Sequence, residues 1–470
     1  MKYQFTKNIF FIFFNIINFA IFLLAAKNSS DLFSYSWFSI ISLISINYCI
    51  KYWKFYSELF LNIFIYLGFW FNFSLRILQS YDTPVAETNN YLSKIAIQDN
   101  YIEVLNIISI SILSITLFFI LLKKFFLRQQ KEKKTFIFLY FIIKRYKLVF
   151  FSCFFTLFSL IIFLNSYYDF AYLGQQTSGF FIIEKLFKYL LMIFFPLTIT
   201  LTADLYFKVY GKSFILIFIF IICLFSISLT LDSRALLISL FPILLIYSSL
   251  INNIKRAITL FVSSISLFLI LFILVDQNRT EKKFSISKSY ETAKHITYLV
   301  ANRWVGIAGM INVNYTKNKN YTMFIDSFSE KSQIFNYYER NYFYSQDESQ
   351  PNFKNKKDFF KRFPEKNKQK RISVFIPGFM AYFYYSGSLI LLIFLNFLMV
   401  FILISVEKAL SIIIGNKKFF LAMFSMIFVW RVVHFGLFPF NSILFFLILI
   451  LTPIVFYFID KLLLYVFKRI

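Results

Sequence analysis

The sequence predicts an all-α polytopic membrane protein, with about twelve transmembrane helices and one large outer loop carrying short helices. Three observations predict it. Hydrophobic residues make up 59% of the 470 and the mean hydropathy is +0.68, well beyond an ordinary soluble domain. Apolar runs of about 20 residues, the length that carries a helix across roughly 30 Å of hydrocarbon, recur along the chain. Lys and Arg collect in alternate connections between those runs, which is the pattern that orients a polytopic chain.

Taken in order, the expected spans are Asn8 to Ala26, Leu32 to Ile50, Leu59 to Leu75, Ile102 to Leu122, Leu148 to Tyr167 and Phe187 to Leu205. Phe214 to Leu231, Ala235 to Ile251, Ile258 to Val275, Tyr382 to Val406, Phe419 to Phe438 and Ser442 to Phe458 complete the set. The first run follows Lys2 and Lys7, as a signal peptide would. It is as long as a full span and another span follows at once, so it reads as a retained helix. Residues 1–275 form a first membrane domain, 276–371 the large loop and 372–470 a second membrane domain.

One set of connections holds Lys51, Lys54, the dense run from Lys123 to Lys147, Lys208, Lys212, Lys255, Arg256, Lys417 and Lys418. The other set holds Lys27 to Asp31, the mildly acidic Arg76 to Tyr101, Tyr168 to Glu184, Asp232 to Arg234 and the gap around Pro439. Positive short connections stay in the cytoplasm. Both termini then lie in the cytoplasm of a bacterial inner membrane, and the loop from Asp276 to Arg371 is periplasmic or extracellular. Within that loop, Ser289 to Ile311 reads as an amphipathic helix, Asn314 to Gln350 as polar and tyrosine-rich, and Phe353 to Arg371 as a basic run.

Several function classes lose support. The net charge of +26 is spread over the connections rather than gathered on one face, so nucleic acid is not the expected partner. Cys49, Cys153 and Cys223 all fall in expected spans and offer neither a disulfide framework nor a metal site. Glycine numbers only 10, and no G-x-x-x-x-G-K-[ST] loop is present to cradle a nucleotide. No His or Cys pair stands at zinc spacing, and no cofactor is expected.

What stands out is a set of basic residues toward the outer face. Arg431 and His434 lie three apart in the outer half of a span, on neighbouring helical positions. An Arg at a helix centre costs about 2.5–3.5 kcal/mol on insertion scales, and ionisable groups inside a membrane are functional candidates by default. In the loop, Glu291, His295 and Asn302 share one helical side with Arg303 at its edge, and Trp304 gives that helix an apolar face. Asp232 and Arg234 occupy a tight outer turn between two spans. Arg279 opens the loop. A guanidinium stays charged and grips phosphate oxygens bidentately, so clustered arginines fit a lipid-linked pyrophosphate.

Four features resemble the Wzy-type O-antigen or capsule polymerases, also called oligosaccharide repeat-unit polymerases, and more distantly the O-antigen ligases. They are many spans with cytoplasmic termini, the Ser233-Arg234-Ala235-Leu236-Leu237 segment that opens a span, the loop motif Asn302-Arg303-Trp304-Val305-Gly306, and the re-entry segment from Pro377 to Gly387. An acidic residue is common in such re-entry segments, and Ala381 and its neighbours supply none. The resemblance implies block transfer of a growing glycan from undecaprenyl pyrophosphate to a new lipid-linked repeat unit, within the bilayer, with a chain-length regulator protein as a further partner. It assigns catalytic work to Arg303, Arg431, His434 and His295, and pyrophosphate or glycan binding to Arg234, Asp232, Arg279, Asn302 and Trp304. The competing classes are a lipid-linked oligosaccharide flippase, which needs charged residues inside a central cavity, and another multi-span glycosyl- or acyltransferase of the cell envelope.

Overall fold

The computed structural model describes residues 2–29, 31–78, 94–126, 135–168, 170–171, 181–211, 213–231, 240–249, 306–315, 319–328, 378–435 and 439–469. Every regular element among them is helical, with no strand. In chain order these are α1 (Lys2–Lys27), α2 (Leu32–Tyr52), α3 (Tyr56–Leu78), α4 (Lys94–Phe126), α5 (Ile137–Arg145), α6 (Lys147–Tyr168) and α7 (181–210). They continue with α8 (Phe214–Thr230), α9 (Leu240–Ser249), α10 (Ile307–Tyr315), α11 (Tyr321–Phe328), α12 (Phe379–Phe383), α13 (Leu389–Ile414), α14 (Lys418–Val433) and α15 (Pro439–Arg469).

Among the described residues, seven helices are long and apolar enough to cross a membrane: α2, α3, Tyr101–Phe126 of α4, α6, Ile182–Tyr210 of α7, α13 and Ser442–Phe467 of α15. Phe11–Lys27 and Ile215–Thr230 are shorter apolar helices. The expected span from Ile258 to Val275 lies outside the described residues. Two expected spans take a different form. Tyr382 to Val406 is broken by a turn at Tyr384–Ser386 and by Gly387 at φ +73°, a conformation that suits glycine alone, and α13 starts only at Leu389. Phe419 to Phe438 ends as helix at Val433, after 16 residues or about 24 Å.

The chain divides into two compact units. The first is built from residues 1–127, 294–405 and 429–446. Apolar side chains gain little by leaving lipid for one another, so polar contacts and close packing must join such helices. In this unit Ser45 on α2 hydrogen-bonds Asn62 on α3 at 2.9 Å and Thr116 on α4 at 2.7 Å. Tyr66 on α3 donates to Asn18 on α1 at 2.5 Å, and Asn396 on α13 donates to Ser111 and Ser114 on α4 at 2.9 and 3.0 Å. Helix α3 contains a π-helical segment, Tyr66–Phe71, with Trp70 fully buried in it.

The second unit comprises residues 128–293, 406–428 and 447–470. It contains a helix the sequence does not announce, α5, inside the basic stretch expected to be a plain connection. Its start is fixed by Asp460 of α15, whose Oδ1 accepts from the Leu139 N–H at 2.9 Å, satisfying a donor that the helix itself leaves free. Asp204 of α7 does the same for α14, accepting from Phe420 N–H at 2.9 Å. A carboxylate at a helix N-terminus also meets the positive end of the helix dipole.

Candidate functional site

Arg431 and His434 are the two expected site residues that fall within the described chain. Arg303, His295, Arg234, Asp232, Arg279, Asn302 and Trp304 lie outside the described residues. From Phe419 to Val429, α14 is buried on every side, as expected of a helix that is apolar all round. The polar residues come at its end. Arg431 stands in the last turn, where the helix dipole favours a cation, with its guanidinium carbon 5.4 Å from the centre of the Phe445 ring.

The polar atoms at this end are left open. The Arg431 Nε and the Trp430 Nε1 are buried with no hydrogen-bond partner among the described residues. His434 Nδ1 lies 2.8 Å from the Trp430 carbonyl oxygen. A carbonyl can only accept, so Nδ1 carries the hydrogen, and in the neutral ring Nε2 keeps its lone pair. A buried donor without a partner costs about 1–3 kcal/mol. Two donors and one basic nitrogen thus stand within five residues at this end of α14.

An aromatic turn connects this end of α14 with another polar cluster in the same unit. Tyr382 of α12 packs edge-on against Phe435 at 4.9 Å and against Phe324 of α11 at 5.6 Å. Two residues on, the Tyr384 ring lies 5.1 Å below the Lys319 ammonium. Lys319 Nζ donates to the Asn314 side-chain oxygen at 2.7 Å and to its carbonyl at 3.1 Å. The Asn314 amide in turn donates to Glu103 Oε2 of α4 at 2.8 Å. Burial pulls the Lys319 ammonium below the ordinary lysine range, and the Glu103 charge offsets part of that. Lys319 also packs against the turn: a Cβ added to Gly387 would stand 3.3 Å from Lys319 Cβ.

The loop is further anchored by its motif's last residue. Gly306 is buried, and a Cβ built on it would overlap the carbonyl group of Gly68, in the π-helical part of α3. Only glycine permits that approach of two backbones. π-Helical segments are frequent at functional sites, and here one receives the loop. Of the helix expected from Ser289 to Ile311, residues 289–305 lie outside the described residues; α10 runs from Ile307 to Tyr315, and α11 falls in the stretch read as polar and tyrosine-rich.

Sequence reasoning missed Glu103, Asn314 and Lys319. Glu103 carries a faint signal, an acid in the first turn of an expected span; Asn314 and Lys319 carry none, since Asn314 matters through a contact 211 residues away and Lys319 through the hydrogen bonds it gives Asn314. Among the described residues no group of three or more His, Cys, Asp or Glu could hold a metal ion. No family model, no characterised protein and no solved structure matches the chain.

Proposed function

We propose that this protein is a membrane glycosyltransferase that polymerises undecaprenyl-pyrophosphate-linked repeat units into O-antigen or capsular polysaccharide. The observation that carries the reading is the end of α14, where the N–H donors Trp430 Nε1 and Arg431 Nε have no partner among the described residues. A pyrophosphate supplies the acceptor oxygens such donors need. The positive-inside pattern puts this end at the outer face, with both termini in the cytoplasm.

In the transfer, the acceptor hydroxyl oxygen bonds to the anomeric carbon of the growing chain as the bond to pyrophosphate breaks. Negative charge gathers on the departing undecaprenyl pyrophosphate, and Arg431, joined by Arg303, stabilises it. Donors already in place spend nothing on reorganisation when that charge develops. His434 Nε2 takes the hydroxyl proton, a role for which His295 is the second candidate. The scheme uses no cofactor. The Gly306 contact with Gly68 supports it by seating the last residue of the motif on α3.

Cells carrying Arg303→Ala or Arg431→Ala should show single repeat units in place of long chains on a glycan gel. Unchanged long chains in both would overturn the assignment. A phosphatase fused near Asn318 should be active, and an inactive fusion would reverse the orientation. Transport of lipid-linked units across liposomes without any chain extension would favour a flippase instead.

A further inference from the structure

We infer that Glu103 is the hydroxyl-accepting group of a saccharide subsite that positions the acceptor glycan; this rests on the polymerase reading. Glu103 Oε2 is engaged by the Asn314 amide at 2.8 Å, and Asn314 is itself fixed by Lys319. Oε1 has no partner among the described residues, and the side chain is exposed. Two distant stretches of chain thus meet at this carboxylate and leave its other oxygen exposed.

The surroundings select the ligand. Lys319 places a positive charge beside the carboxylate, which disfavours a divalent cation there, while the carboxylate itself repels a phosphate. What remains attractive is a neutral group with hydroxyl donors, and hydrogen bonds to a charged acceptor are the stronger kind. A sugar meets both conditions. The position is also apt: one aromatic turn touches Lys319 through Tyr384 and, through Tyr382, Phe435, the residue after His434. Donor pyrophosphate at Arg431 and acceptor sugar at Glu103 would then share one turn as their floor.

Glu103→Gln tests this closely, because the glutamine oxygen can still accept from Asn314 while the outward oxygen becomes a donor. The full-length variant is reconstituted in liposomes and supplied with lipid-linked oligosaccharide extracted from the source cells. Its KM for acceptor should rise roughly tenfold, the loss of one charged hydrogen bond, with kcat at saturation and the unfolding midpoint unchanged. An unchanged KM in Glu103→Gln, together with a lowered midpoint in Glu103→Ala, would show a loop fastening only and overturn the inference. Arg431→Ala is run alongside. If it abolishes extension while Glu103→Gln behaves as wild type, this inference falls alone. If the wild type extends no chains, or Arg431→Ala is as active as wild type, the polymerase reading falls and takes this one with it.

Discussion

Two places in the first unit bury charged side chains among apolar helices, and they treat them in opposite ways. At one, Lys123 Nζ of α4 lies 2.6 Å from Glu58 Oε1 of α3, with the two side chains 7% and 1% exposed. The remaining polar atoms find partners as well: the Lys54 N–H donates to Glu58 Oε2 at 3.1 Å and Lys123 donates to the Tyr52 carbonyl at 3.0 Å. At the other, Arg431 and its neighbours end in donors and a lone pair with no partner among the described residues. A saturated buried pair is what a fold needs. An unsaturated one is destabilising unless something else completes it, which is the reason for reading the α14 end as a site and the Glu58–Lys123 pair as scaffold.

The sharpest way to break the comparison is Glu58→Ala, which leaves the Lys123 ammonium buried and uncompensated. Loss of one partner of a buried pair costs about 3–5 kcal/mol, so the variant should fail to accumulate or should unfold far earlier in detergent. Any loss of polymerisation should track the loss of folded protein. Arg431→Ala should do the reverse, lowering the rate of chain extension by roughly 10²–10³-fold, as for removal of one charge-stabilising donor, with the fold intact. Gly306→Ala comes next. Its methyl has no room against the Gly68 backbone, so the loop must lift, with a cost of about 1–3 kcal/mol, seen as easier proteolysis within the loop and shorter chains.

The smallest effect concerns pH. Lys319 is held below the ordinary lysine range by burial, so between its folded and unfolded values the unfolded chain binds more protons, and stability rises with pH. Relative to Lys319→Met, the wild-type unfolding midpoint should climb as the pH is raised from neutral toward the usual lysine range. A flat difference would mean that the ammonium is not desolvated.

Much of the fold is legible in the sequence because crossing a bilayer imposes a length and a composition. The runs behind α2, α3, α4, α6 and α13 show themselves as apolar stretches of the right size. What sequence hides is the detail set by single contacts. The Lys123 ammonium counts in a tally of loop charges, yet it lies inside α4, held by an acid more than 60 residues away. Helix α5 depends on a cap from Asp460, over 300 residues on. The break before α13 is visible in Ser386-Gly387-Ser388 only once Gly387 is known to take a positive φ. At the site, Arg431 and His434 could be picked out because ionisable groups are rare in apolar runs. Their open valences could not, since those depend on what the other described residues fail to supply.

The central claim is that the open donors at the end of α14 serve a ligand rather than the fold, and Arg431→Met tests it most directly. Methionine fills similar space without a charge to satisfy, and exchanging unsatisfied buried charge for apolar volume is often neutral or stabilising. The account predicts an unfolding midpoint equal to or above wild type, together with loss of long chains from lipid-linked repeat units in reconstituted liposomes. Long chains made at the wild-type rate, or a collapse of the midpoint, would contradict it.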